Sequence, residues 1–142
     1  MSSKTRVALL RGINVGRNKR VAMADLRTLL GSMGYEDVKT HGQSGNALLA
    51  TSSRSASATI ERDIGARIEQ DLGLDVQVMV RTVDELEAVM AANPFPGQGV
   101  AAKELHVAFL ARALPGPKRE EVEGLDRNEY RPDQYELGDG VI

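Results

Sequence analysis

RGINVGRNKRVAM, residues 11–23, separates an apolar run from the first helical pattern, and the fold follows from what stands on either side of it. Upstream, Val7, Ala8, Leu9 and Leu10 are apolar without alternation, the pattern of a strand central in its sheet or covered on both faces. Downstream, Met23, Leu26, Leu29, Leu30 and Met33 recur at helical spacing, and Gly34 is a natural stop. The stretch itself carries Gly12 and Gly16, Asn14 and Asn18, and the cations Arg11, Arg17, Lys19 and Arg20, so Gly12 to Val21 is predicted as a loop.

Further along, EDVKTH (36–41) and NALLA (46–50) read as two strands joined by a short turn, with HGQSGN (41–46) as a second polar loop. The serine-rich segment 51–57 reads as a loop whose last serines cap the next helix. Ile60, Ile64, Ile68 and Leu72 form an amphipathic stripe, and Gly65 inside that helix costs roughly 1 kcal/mol against alanine. Gly73 closes that helix. Leu74, Val76, Val78 and Val80 alternate with Asp75, Gln77, Met79 and Arg81, which predicts a half-buried strand.

Strand, helix, strand, strand, helix, strand over residues 5–81 is the ferredoxin-like order. With the first strand up, the third runs down beside it, so Gly12 to Val21 and the turn Gln43 to Asn46 fall at the same end of the sheet. After this, Thr82 and Glu85 form a capping box for a helix with Leu86, Val89 and Met90 on its apolar face. Asn93-Pro94-Phe95-Pro96 reads as a helix stop with an apolar plug, and Phe95 to Ala102 as a loop. Glu104 to Leu110 is predicted as a strand with Leu105, Val107 and Phe109 on one face, Pro115 to Gly124 as a short charged helix, Tyr130 to Leu137 as a hairpin and Gly138 to Gly140 as a turn. The fold class is α+β: a ferredoxin-like βαββαβ unit (1–82) followed by a second, partial ferredoxin-like unit (83–142) packed against it.

Composition narrows the function. The chain has 142 residues, enough to bury a core without staples, and 4% aromatic content makes that core aliphatic. A formal net charge of -2 gives no global attraction to nucleic acid or anionic membrane, so affinity for an anion has to be local. The absence of cysteine removes disulfides, thiolate metal sites and a cysteine nucleophile. The N-terminal apolar run is too short for a signal peptide or a membrane span, and a cytoplasmic protein is expected.

The paired loops hold the chemistry. Arg11, Arg17, Lys19 and Arg20 supply positive charge, and Asn14, Asn18, Gln43, Ser44 and Asn46 supply neutral polar groups. Gly12, Gly16, Gly42 and Gly45 permit close backbone approach, and a loop entering a helix offers free N–H groups to an anion. The spacing matches neither G-x-x-x-x-G-K-[ST] nor G-x-G-x-x-G. His41 and His106 have no metal-ligand spacing; His41 reads as a structural or solvated strand end and His106 as packing. Ser44 lacks the nucleophile elbow. Glu61, Asp63, Glu69, Asp71, Glu120 and Glu121 read as solvated helix faces. RNA binding by base stacking is disfavoured because TRVALLR and NALLA contain no aromatic.

The runs ALLRGINVG, NKRVAMADLRTLL, QSGN and DVQVMVRTVDELEAVMAANPF together resemble the domain of unknown function 1697 family over nearly the whole chain. The resemblance implies an α+β fold of two ferredoxin-like units and no established activity. It also implies continuation beyond Ile142, which would leave the second unit incomplete, and tyrosine where this chain has His41. The motif positions it marks are Arg11, Gly12, Asn14, Val15, Gly16, Gln43, Ser44, Gly45 and Asn46.

The expected function is a binding protein taking an anionic small molecule or nucleotide at loops 11–21 and 41–46, through Arg11, Gly12, Asn14, Gly16, Arg20, Gln43, Ser44, Gly45 and Asn46, with no cofactor and no metal. One alternative is a small phosphate-handling hydrolase of acylphosphatase type, using Arg11 or Arg20 with Asn46. Another is a protein–protein interaction module in which Tyr130 to Ile142 ends in an unpaired strand that pairs with another chain, a homo-oligomer included.

Overall fold

The computed structural model describes residues 4–52, 54–95 and 101–142. The chain divides into two compact units, Met1–Ala88 and Val89–Ile142.

In the first unit β1 (Lys4–Leu10), α1 (Met23–Ser32), β2 (Glu36–His41), β3 (Asn46–Thr51), α2 (Ser57–Leu72) and β4 (Val78–Thr82) follow in sequence. The four strands make one sheet in the order β2-β3-β1-β4, antiparallel at every pairing. The unbroken apolar run sits in β1, a central strand, where Ala8 lies between Ala47 and Val80. Every second residue points to the core: Ala8 and Leu10, Ala47 and Leu49, Val78 and Val80. Against them pack Leu26, Leu29 and Leu30 of α1 and Ile60, Ile64 and Ile68 of α2. Leu72, the fourth member of the predicted isoleucine stripe, is 36% exposed and ends the helix outside the core.

Helix ends differ from the sequence expectation at one place. Ser57 is itself the first residue of α2, so the cap falls on Ala56 and no side chain caps the helix. At the other end Gly73 adopts the left-handed conformation (φ 67°) and donates its N–H to the Glu69 carbonyl. The predicted strand from Leu74 is also shorter than its pattern. The alternation is present, with Val76 and Val78 buried and Asp75 and Gln77 exposed, but β1 offers ladder partners only from Val78 onward. In β2 the register shifts between Glu36 and Lys39, with Asp37 at φ 50°, so this outer strand carries a bulge.

Helix α3 (Val83–Ala91) begins with the predicted capping box: the Thr82 N–H donates to Glu85 Oε1 (3.2 Å) and the Glu85 N–H to Thr82 Oγ1 (3.1 Å). Met90, expected on its apolar face, is 76% exposed. After the helix, Asn93 Oδ1 accepts the Phe95 N–H at 2.9 Å, an Asx turn that sets the stop. The expected 95–102 loop lies largely outside the described residues.

The second unit departs further from expectation. Helix α4 (Gly116–Glu123) forms where the charged helix was predicted. The strand expected over Glu104 to Leu110 does not: among the described residues only an isolated bridge pairs Phe109 with Val141. Leu105 and Val107 are 38% and 44% exposed, because an alternating pattern without a partner strand has no ladder to hold it. His106 is exposed, so the packing reading fails with the strand. The hairpin at 130–137 is replaced by a 3₁₀ turn, Arg127–Tyr130, and irregular chain. Pro132 interrupts that run and has no N–H for a hairpin ladder. Tyr135 instead donates its hydroxyl to the Val122 carbonyl (3.1 Å) and meets Tyr130 edge to face at 6.4 Å. Ile142 exchanges backbone hydrogen bonds with Ala108 (2.8 and 2.9 Å), so the last residues are not an unpaired strand.

Candidate functional site

The two polar loops meet at one end of the first unit's sheet, as the strand directions require. The residue that joins them is Asn14. Its Nδ2 donates to the Gln43 carbonyl (2.6 Å) and to the Val21 carbonyl (2.8 Å), while its Oδ1 accepts the Val21 N–H (2.8 Å). The side-chain amide thus pairs with Val21 as a second backbone would, and spans to the other loop at the same time. Asn14 does this at φ 55°, a conformation asparagine tolerates better than most residues. Its own N–H donates to the Lys19 carbonyl (3.0 Å), and Val15 bridges Asn18 across the turn at Gly16 and Arg17.

Ile13 is the anchor beneath. It is 2% exposed, one of the core residues, although it stands in the middle of a polar loop. Gly45 packs directly on it: a Cβ at Gly45 would lie 2.6 Å from Ile13 Cδ1 and 2.9 Å from Leu10 Cβ, at φ +85°. The Leu10 N–H donates to the Gly45 carbonyl at 3.1 Å. Asn14 and Gly45 therefore hold the loops together and have little left to offer a ligand.

A third segment joins them, which sequence reasoning missed. Lys19 Nζ donates to the Asp75 carbonyl (2.6 Å), the Arg11 N–H to the Gln77 carbonyl (2.9 Å), and Arg11 Nη1 approaches Gln77 Oε1 at 3.4 Å. The signal for it was the topology: residues 74–77 precede β4 and so reach the same sheet end. Of the four cations, Lys19 is committed to a carbonyl and Arg11 is loosely held. Arg17 and Arg20 are exposed and have no hydrogen-bond or ion-pair partner among the described residues. Around them, Gly12 and Gly16 leave the backbone open, with nothing within 4 Å of where a Cβ would stand. Ser44 accepts a hydrogen bond from Asn46 Nδ2 at 3.3 Å, which turns the asparagine of the acylphosphatase alternative toward its own turn. His41 is exposed at the start of that turn.

One carboxylate read as solvated has a structural role. Glu61 Oε1 accepts the Val80 N–H at 2.8 Å and Arg81 Nη1 at 3.3 Å. Asp71 and Glu121 pair on helix surfaces with Arg67 (2.9 Å) and Lys118 (3.1 Å), contacts worth about 0.5 kcal/mol or less. No helix is long and apolar enough to cross a membrane among the described residues.

The fold is α+β, with a four-stranded antiparallel sheet and two polar loops brought together at one of its ends. The chain belongs to the family described as "Protein of unknown function (DUF1697)", which it matches over residues 3–142. Among solved structures it is similar to the conserved bacterial protein SP0830 from Streptococcus pneumoniae, at 23% identity and a TM-score of 0.64, over 88% of this chain and 68% of that one. That likeness bears on the fold alone. No curated protein matches the chain.

Proposed function

We propose that the chain is a binding module whose first unit is a ferredoxin-like scaffold and whose paired loops, 11–21 and 41–46, take an anionic small molecule or nucleotide. The scaffold reading rests on the βαββαβ order together with the sheet order β2-β3-β1-β4. The site reading rests on one observation: two guanidinium groups, Arg17 and Arg20, without partners among the described residues, on a loop whose backbone is fixed by Asn14 and Lys19. Cations on a fixed loop lose less conformational freedom on meeting an anion than cations on a mobile one. Arg11 is the third contributor, since a 3.4 Å contact to a neutral amide is readily exchanged for a phosphate or carboxylate oxygen. The open backbone at Gly12 and Gly16 allows the anion to approach the main chain.

The test is a thermal-shift series with inorganic phosphate, citrate and ATP, on the wild type and on the double variant Arg17→Ala, Arg20→Ala. A ligand at about 100 times its Kd stabilises a protein by about 2.7 kcal/mol. The wild type is expected to gain melting temperature with at least one of the three, less so at high salt, and the variant to gain none. Equal responses from both proteins would remove the loops as the site.

A further inference from the structure

Strand β4 ends the sheet, and its outward backbone groups should be open to another strand. At the middle and far end of the strand three of them are not. In an antiparallel ladder alternate residues turn both their N–H and C=O to the same side, and in β4 Val78, Val80 and Thr82 turn theirs away from β1. The Val80 N–H is taken by Glu61 Oε1 of α2 at 2.8 Å. The Val80 carbonyl accepts Arg81 Nη1 at 2.9 Å. The Thr82 N–H is taken by Glu85 Oε1 at 3.2 Å. The same Arg81 Nη1 lies 3.3 Å from Glu61 Oε1, and Arg81 Nε lies 3.9 Å from Glu85 Oε2, so the three side chains form one charged group laid along the edge.

Glu61 has no such role in its own helix. It is not an end residue of α2, and its carboxylate reaches across to a backbone amide 19 positions further on. Beside it, α2 and the chain entering β4 leave an open groove lined by Glu61, Gly65, Glu69, Val76 and Val78. We infer that Glu61, fixed by Arg81, is a plug that keeps the β4 edge from pairing with the β4 edge of a second copy of this chain. The second copy is the fitting occupant because the edge is self-complementary: with Glu61 gone and the Arg81 it holds released from the Val80 carbonyl, each Val80 offers one N–H and one C=O to the other about a two-fold axis at Val80.

The experiment compares wild type, Glu61→Ala, Glu61→Met and Glu61→Gln by light scattering over a concentration series and by amide hydrogen exchange at Val80. Alanine and methionine remove the acceptor and suit a helix interior, so α2 survives; glutamine keeps an oxygen for the Val80 N–H. At the lowest concentration, where the chains are monomeric, the Val80 amide of the alanine and methionine variants is expected to exchange roughly fivefold faster, the loss of one hydrogen bond, and as concentration rises their mass is expected to increase beyond that of the wild type. The glutamine variant should follow the wild type in both. A mass unchanged in both Glu61→Ala and Glu61→Met, or association in Glu61→Gln equal to theirs, would overturn the inference.

Discussion

Replacing Asn14 with alanine separates the two polar loops with a single change. Three hydrogen bonds go: two part-buried ones to Val21 at 2.8 Å and the bond to the Gln43 carbonyl at 2.6 Å, which is closer to solvent. The first two are worth about 1 kcal/mol each and the third less, because water replaces it. Alanine at φ 55° adds about 1 kcal/mol over asparagine. The sum is about 3 kcal/mol. Urea denaturation followed by circular dichroism would show it as a midpoint lowered by about 1–2 M, for a slope of about 2 kcal/mol/M. Asn14→Gly distinguishes the contributions. It loses the same hydrogen bonds but accepts the left-handed backbone without strain, so its loss is about 2 kcal/mol. If alanine moves the midpoint by less than about 0.3 M, the amide does not hold the loops. If glycine is worse than alanine, the backbone argument is wrong.

Gly45→Ala would drive a methyl into Ile13 and Leu10, with contacts from 2.6 Å at φ +85°, and should cost about 3 kcal/mol in the same assay. Gly65→Ala works the other way: its new methyl would meet only the Val76 carbonyl, at 3.7 Å, so the helix gain of about 0.5–1 kcal/mol should appear as a raised midpoint. Tyr35 has a pKa raised above 10.0, first by burial and then by the Asp63 charge, so its neutral form is favoured in the folded state. The stability it contributes is whole below pH 10 and lost as pH rises through the folded value. Denaturation midpoints of Tyr35→Phe should therefore decline less across that alkaline window than those of wild type.

The first unit was legible because its signals are local and agree with one another. Isoleucines four apart made α2, alternating valines marked the approach to β4, and Thr82 with Glu85 announced α3. Strand direction alone then brought residues 11–21 and 43–46 to one end. What the loops do to each other was not legible. Nothing about Ile13 in a polar run says that it is core, and Asn14 reads as a ligand group until its amide is seen filled by Val21 and Gln43. Glu61 reads as a solvated helix residue because its partner, Val80, is a backbone amide that no side-chain pattern reveals. The second unit misled for the converse reason. Leu105, Val107 and Phe109 alternate as a strand should, but a strand is made by its neighbour, and among the described residues the neighbour is an isolated bridge at Val141.

The bulge in β2 gives the sheet two unlike boundaries. On that side the chain's own path, left-handed at Asp37 and shifted in register before Lys39, breaks the repeat a neighbouring strand would have to follow. A boundary drawn by backbone shape persists through most side-chain replacements along β2. The boundary at β4 depends on the chemistry of a few side chains. Drift in sequence is therefore asymmetric in its consequences: the bulge in β2 survives most side-chain changes along that strand, whereas the loss of one carboxylate from α2 frees the Val80 N–H on the other margin.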